Sequence, residues 1–139
     1  MPKRILYQEF IRRIDSSIEA AAYLEASWYA YAVLEDRLIS MLRQSGGYPS
    51  TLRMMGPKIA RLKERAASDP VLAATFDSTA LSAWSAKRNA LMHAMAEGSL
   101  TIQQVDRDAK DLATEGRAIV RDMAARAMRL KRRRRQLAP

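Results

Sequence analysis

Residues 101–135 read TIQQVDRDAKDLATEGRAIVRDMAARAMRLKRRRR, and this stretch decides the fold. Thr101 and Gln104 form a capping-box pattern, in which each side chain can satisfy the other's backbone N–H at a helix start. Apolar residues then recur at helical spacing: Ile102, Val105, Ala109, Leu112, Ile119, Met123 and Leu130. Gly116 falls in the same stripe and would let a neighbouring helix approach closely. The stretch also carries most of the charge of the chain. Between 117 and 135 stand nine basic residues and one acid, Asp122, against a net charge of +9 for all 139 residues. The rest of the chain is nearly neutral, so the field is concentrated at one end.

Composition agrees with helix throughout. Ala, Leu, Met and Arg dominate, and these side chains lose little rotamer freedom in a helix. Val, Ile and Thr never gather in an alternating run, so no strand is expected. A hydrophobic fraction of 48% suffices for one core. Cysteine is absent and histidine occurs once, which rules out disulfides, thiolate chemistry and Cys-based metal sites and argues against a structural zinc. No metal or cofactor is expected. No apolar run reaches the length of a membrane span, roughly 18 residues. The basic start, Met1-Pro2-Lys3-Arg4, lacks the apolar core of a signal peptide. The expectation is a reducing, cytoplasmic setting without a membrane.

Working back from residue 101, three more helical stretches can be read. The first spans about Tyr7 to Arg43, with apolar positions Phe10, Ile14, Ala21, Leu24, Trp28, Tyr31, Leu38 and Leu42, and stops at Gly46-Gly47-Tyr48-Pro49. Gly46 suits a C-terminal cap. The second starts near Gly56-Pro57, where proline costs nothing at the first helical position, and ends at Ser68-Asp69-Pro70. A brief apolar patch, Val71-Leu72 to Phe76, adds a short extra helix. Asp77-Ser78 then offers N-cap residues for the third, about Thr79 to Ala96, which Glu97-Gly98-Ser99 ends. The expected architecture is all-α: an up-down four-helix bundle over residues 1–130, with a short extra helix and a basic tail at 131–139.

On a helical wheel of the third stretch, Leu81, Trp84, Leu91, Met92 and Met95 form one apolar stripe with Arg88 in its middle. A charge there is costly unless it is paired or reaches water. Glu35 is similarly placed among Tyr31, Leu34, Leu38 and Leu42, and an Arg88–Glu35 ion pair would explain both. Asn89 and His93 are four residues apart and share a face. Arg88 points about 140° from His93, at about 100° per residue. One helix therefore does not bring Arg88 and His93 together, which points to a site shared between two subunits.

The segment Trp84-Ser85-Ala86-Lys87-Arg88-Asn89-Ala90-Leu91-Met92-His93 resembles the signature of the HEPN superfamily, an arginine, commonly an asparagine, and a histidine after four to six intervening residues. The long first helix, with Glu35 in a Leu-Glu-Asp-Arg-Leu context, is similar too. The resemblance implies a helical bundle that dimerises so that two motifs meet. Many members are metal-independent endoribonucleases of toxin–antitoxin, phage-defence and CRISPR-associated systems, while others are inactive and bind nucleotides or proteins. It also implies a cognate antitoxin or regulatory protein as a partner. The tyrosine that often follows the histidine by two positions in HEPN toxins paired with nucleotidyltransferases is replaced here by Met95.

These residue types fit RNA cleavage by attack of the 2′-hydroxyl on its own phosphate. An imidazole such as that of His93 titrates near neutral pH and can move the protons. Arg88 stays charged and presents planar donors to phosphate oxygens. Asn89 would orient His93 or bond a phosphate oxygen. With one histidine per chain, separate acid and base roles need a homodimer. Lys87, Arg126, Arg129, Lys131, Arg132, Arg133, Arg134 and Arg135 would hold the RNA backbone without reading sequence. Trp28, Tyr29, Tyr31 and Tyr48 could stack on bases, with core packing the expected role for most. The alternative is a non-catalytic module of the same shape that binds nucleic acid or a partner protein through its dimer surface.

Overall fold

The computed structural model describes residues 2–139 and, among them, contains six helices and no strand. These are α1 (Lys3–Glu19), α2 (Tyr23–Gln44), α3 (Met55–Ala66), α4 (Pro70–Thr75), α5 (Thr79–Glu97) and α6 (Ile102–Leu137). The capping box at Thr101 and Gln104 forms with both of its hydrogen bonds. The C-terminus of α5 is closed by Gly98 at φ 69°, a left-handed position that glycine takes without steric cost. None of the helices is long and apolar enough to cross a membrane.

The stretch expected as one helix from Tyr7 to Arg43 is two. Ala20-Ala21-Ala22 reverses the chain, with Ala21 at φ 58° and Ala22 N–H bonded to Ser17 C=O at 2.8 Å. No glycine or proline marks the place, so local sequence offers no signal. A left-handed alanine costs about 1–2 kcal/mol. The turn allows α1 to fold back antiparallel along α2, burying Ile14 and packing Tyr7, Phe10, Ile11 and Ile18 against the core. Each such side chain, fully buried, contributes about 1.5–3 kcal/mol, so the hairpin wins even with several of them half-covered. Phe10 meets Tyr29 at 5.5 Å between ring centroids, and Arg13 donates to the Tyr29 hydroxyl at 3.1 Å. Ala21→Gly should remove the strain and raise the melting temperature by about 2–4 °C, a gain of up to about 1 kcal/mol. A lowered melting temperature would mean that Ala21 is not strained.

The largest interface is between α2 and α6. They run parallel, since Ala30 lies against Gly116 while Arg43 and Lys131 line one groove further along. At the crossing, Trp84 from α5 is buried and donates its indole N–H to Leu112 C=O at 2.8 Å. A Cβ on Gly116 would meet Trp84 at 3.1 Å and Ala30 at 3.2 Å, so the close approach expected of this glycine joins three helices at once. α5 packs antiparallel on α6: the short turn after Glu97 reverses the chain, so Ala94 and Leu91 lie beside Asp108 and Asp111 while Trp84, earlier on α5, reaches Gly116, later on α6.

A loop of ten residues returns from the end of α2 to start α3, which runs beside α2 in the same direction. Arg65 of α3 closes the open end of α2, donating to Leu42 C=O at 2.9 Å and Gly47 C=O at 2.8 Å. The Leu42 carbonyl is one of the last in α2, which have no partner within the helix, and it also accepts from Gly47 N–H at 2.9 Å. Lys58, one turn into α3, is 1% exposed and donates to Glu35 at 2.8 Å. The sequence marked Glu35 as a misplaced charge but gave no sign of this buried lysine.

The segment from residue 131 is helix through Leu137, so the boundary expected at residue 130 falls inside α6. Arg134 ties this end to Asp69, whose carboxylate also caps α4 by accepting from Leu72 N–H at 3.1 Å. Burial pushes the Asp69 pKa up, but the Arg134 guanidinium and the Leu72 N–H outweigh it and hold the carboxyl below its ordinary value. A carboxyl with a depressed folded pKa stabilises above its unfolded value and stops doing so as pH falls through the folded one. Protection of the amides at residues 130–137, measured against the intrinsic exchange rate at each pH, should therefore drop as pH falls below the ordinary carboxylate range. The pair is partly exposed, so the effect is a few tenths to about 1 kcal/mol. Asp69→Asn should show the lower protection already at neutral pH, and unchanged protection would mean the pair does not hold the helix end.

Candidate functional site on α5

The α5 helix is covered on one side only. Leu81, Trp84 and Leu91 are buried, whereas Asn89 and His93 are exposed, together with the small residues Ala86, Ala90 and Ala96. Met95, expected in the apolar stripe, is 37% exposed, and Met92 is half-buried. Asn89 and His93 thus share an open face, as their spacing requires.

Arg88 lies in the seam between α5 and α2, but its partner is not the expected one. Glu35 is engaged by Lys58, which α3 brings to it, and the Arg88–Glu35 ion pair does not form. Arg88 instead lies over the Tyr31 ring, its guanidinium carbon 4.1 Å from the centroid. An aromatic face attracts a cation without the desolvation of a second charge. The Nε of Arg88 is buried and has no hydrogen-bond partner. This leaves one donor of a planar fork unspent.

Within one chain, Arg88 faces inward to Tyr31 and His93 faces outward. Glu97, one turn beyond His93, places Oε1 3.0 Å from the imidazole Nε2. Sequence reasoning passed over Glu97, though its i+4 spacing from His93 was visible. Among the described residues no group of three or more His, Asp or Glu side chains is placed to hold a metal ion.

The basic residues expected to hold RNA divide into two groups. Lys87 is tied to Glu115 at 2.9 Å. Arg126 bonds Asp122 at 2.7 Å and Thr75 C=O at 3.3 Å, and Arg134 is paired with Asp69. These three act first as clamps between helices. Arg129, Lys131, Arg132, Arg133 and Arg135 are exposed along the end of α6. Of the aromatics, Tyr29, Tyr31 and Tyr48 pack against the core, but Trp28 does not and is 56% exposed on α2.

The fold and the site define an all-helical protein with one strongly basic helix end and an arginine, an asparagine and a histidine near the middle of α5. Comparison of the chain with family models, curated proteins and solved structures gives no match.

Proposed function

We propose that the chain is a metal-independent endoribonuclease of HEPN type, acting as a homodimer in a toxin–antitoxin or phage-defence setting. On this reading α1, α2, α5 and α6 are the four helices of an up-down bundle, and α3 and α4 are an insertion. The observation that carries it is the state of the motif on α5. His93 and Asn89 stand on an uncovered face, and Arg88 keeps a buried donor without a partner.

In the reaction, His93 of one subunit takes the proton of a 2′-hydroxyl as its oxygen attacks the adjacent phosphorus. The bond from phosphorus to the 5′-oxygen breaks, and the histidine of the partner subunit protonates that oxygen. The products are a 2′,3′-cyclic phosphate and a 5′-hydroxyl. Arg88 stabilises charge on the phosphorane, and Glu97 holds the imidazole ring of His93 from behind. A different reading is a non-catalytic module that binds nucleic acid or a partner through the same face. The inward turn of Arg88 within one chain favours it.

Incubation of the protein with RNA in EDTA separates the two. Cleavage leaving 2′,3′-cyclic phosphate ends, by a species that is dimeric in solution, supports the nuclease. Intact RNA bound without cleavage supports the module, and cleavage at the full rate by a stable monomer would overturn the shared site.

A further inference from the structure

On the side of the molecule formed by α1, the C-terminal half of α2 and the last third of α6 lies a groove of about 760 Å³. It is separate from the motif on α5, since no residue of α5 lines it. Five cations line it: Lys3, Arg4, Arg37, Arg43 and Lys131. No carboxylate lines it. Asp36, on α2, has a side chain only 2% exposed and is paired with both Lys3 and Arg37. One buried carboxylate therefore fixes two cations in place and leaves the groove with a large positive excess. Arg4, Arg43 and Lys131 are exposed and have no ion-pair partner among the described residues.

Helix stability does not explain this charge. Cations favour the C-terminal end of a helix dipole, which suits Arg43 and Lys131. Lys3 and Arg4 occupy the first turn of α1, the wrong end, and no acid stands in that turn. Beneath the cations the floor is apolar, with Ile11 and Val33, and Met128 stands 61% exposed at its edge. The Tyr7 hydroxyl at the rim has its pKa raised by burial and then by Asp36, so it remains a neutral donor. A ligand suited to this groove carries several negative charges along its length and flat apolar faces between them.

We infer that the groove binds single-stranded nucleic acid, with phosphates on Arg4, Arg43 and Lys131 and a base resting on the Ile11–Met128 floor. The inference is independent of cleavage at α5. Arg135, one turn beyond Lys131, extends the track along α6. Neutralised phosphates release counterions, so each contact on a single strand adds about 0.7 to the slope of log affinity against log salt.

The test uses a fluorescein-labelled single-stranded DNA ten-mer, which lacks the attacking 2′-hydroxyl, in anisotropy titrations between about 50 and 200 mM salt. The combined variant Arg4→Ala, Arg43→Ala, Lys131→Ala should bind at least about tenfold more weakly and lose about 2 from the salt slope. A control, Arg53→Ala, Lys63→Ala, Arg107→Ala, removes the same charge from exposed positions elsewhere and should change affinity far less. Equal losses in the two variants would reduce the binding to net charge and overturn the site. An abasic strand of the same length should bind more weakly than the ten-mer, and equal binding would overturn the role of the floor. A groove variant that binds as wild type would remove this site while leaving the reading of α5 untouched.

Discussion

Replacing His93 by alanine is expected to slow RNA cleavage by about 10²- to 10⁴-fold, the range for loss of a positioned proton-transfer group. Helix content and melting temperature should not change. The side chain is 77% exposed and pairs with Glu97, itself exposed, so its loss opens no cavity and strands no buried group. Arg88→Ala should match it in rate but differ in stability, because the guanidinium packs on Tyr31 inside the α2–α5 seam. Arg88→Lys keeps the charge and loses the planar fork, so it should restore the melting temperature more than the rate. Mixing His93→Ala chains with Arg88→Ala chains provides a test of the shared site. If the site takes its groups from both subunits, some mixed dimers regain a complete one. Undiminished cleavage by His93→Ala would end the catalytic assignment, whatever the mixed dimers do.

The largest expected effect on stability lies elsewhere. Glu35→Ala should destabilise the protein by about 3–5 kcal/mol, a large part of the 5–15 kcal/mol typical of a whole domain. The cause is Lys58. Its ammonium is buried at 1% exposure, and its other neighbours are the Met54 carbonyl at 3.5 Å and the Tyr48 ring at 5.7 Å. Neither replaces a carboxylate at 2.8 Å. The double variant Glu35→Leu, Lys58→Met should recover most of the loss, since a pair replaced together leaves no uncompensated charge. Urea melts of Glu35→Leu, Lys58→Met and the double variant form a cycle that isolates the pair. A cost below about 1 kcal/mol for Glu35→Ala would mean that water reaches the ammonium and that the pair behaves as a surface ion pair.

These two residues also show where reading the sequence reaches its limit. Glu35 was visibly out of place among Tyr31, Leu34 and Leu38, and the inference that it needs a cation was sound. The choice of cation was not available locally. Arg88 lies on the same strip of sequence logic, while Lys58 sits in a short, polar-looking segment whose burial arises only when α3 returns alongside α2. Arg88 in turn is accommodated by an aromatic face, which no charge pattern announces. The angular argument about Arg88 and His93 needed no tertiary knowledge, and in the folded chain one side chain faces in and the other out.

What the sequence by itself determined is set by short-range physics. The capping box at Thr101, the left-handed glycine at Gly98, the proline and glycine punctuation around α3 and α4, and the stripe of α6 with Gly116 in it all follow from contacts within a few residues. The all-helical class follows from them. The tertiary structure alone decided three things: the reversal at Ala21, the pairing of Glu35 with Lys58, and the groove between α1, α2 and α6. Each depends on a balance between distant surfaces. An alanine accepts a left-handed backbone at about 1–2 kcal/mol because the hairpin covers the apolar side of α1. The same folding back carries Lys3 and Arg4 to Arg43 and Lys131, residues more than 100 positions apart at the extremes, and makes a basic groove from charges that the sequence scatters.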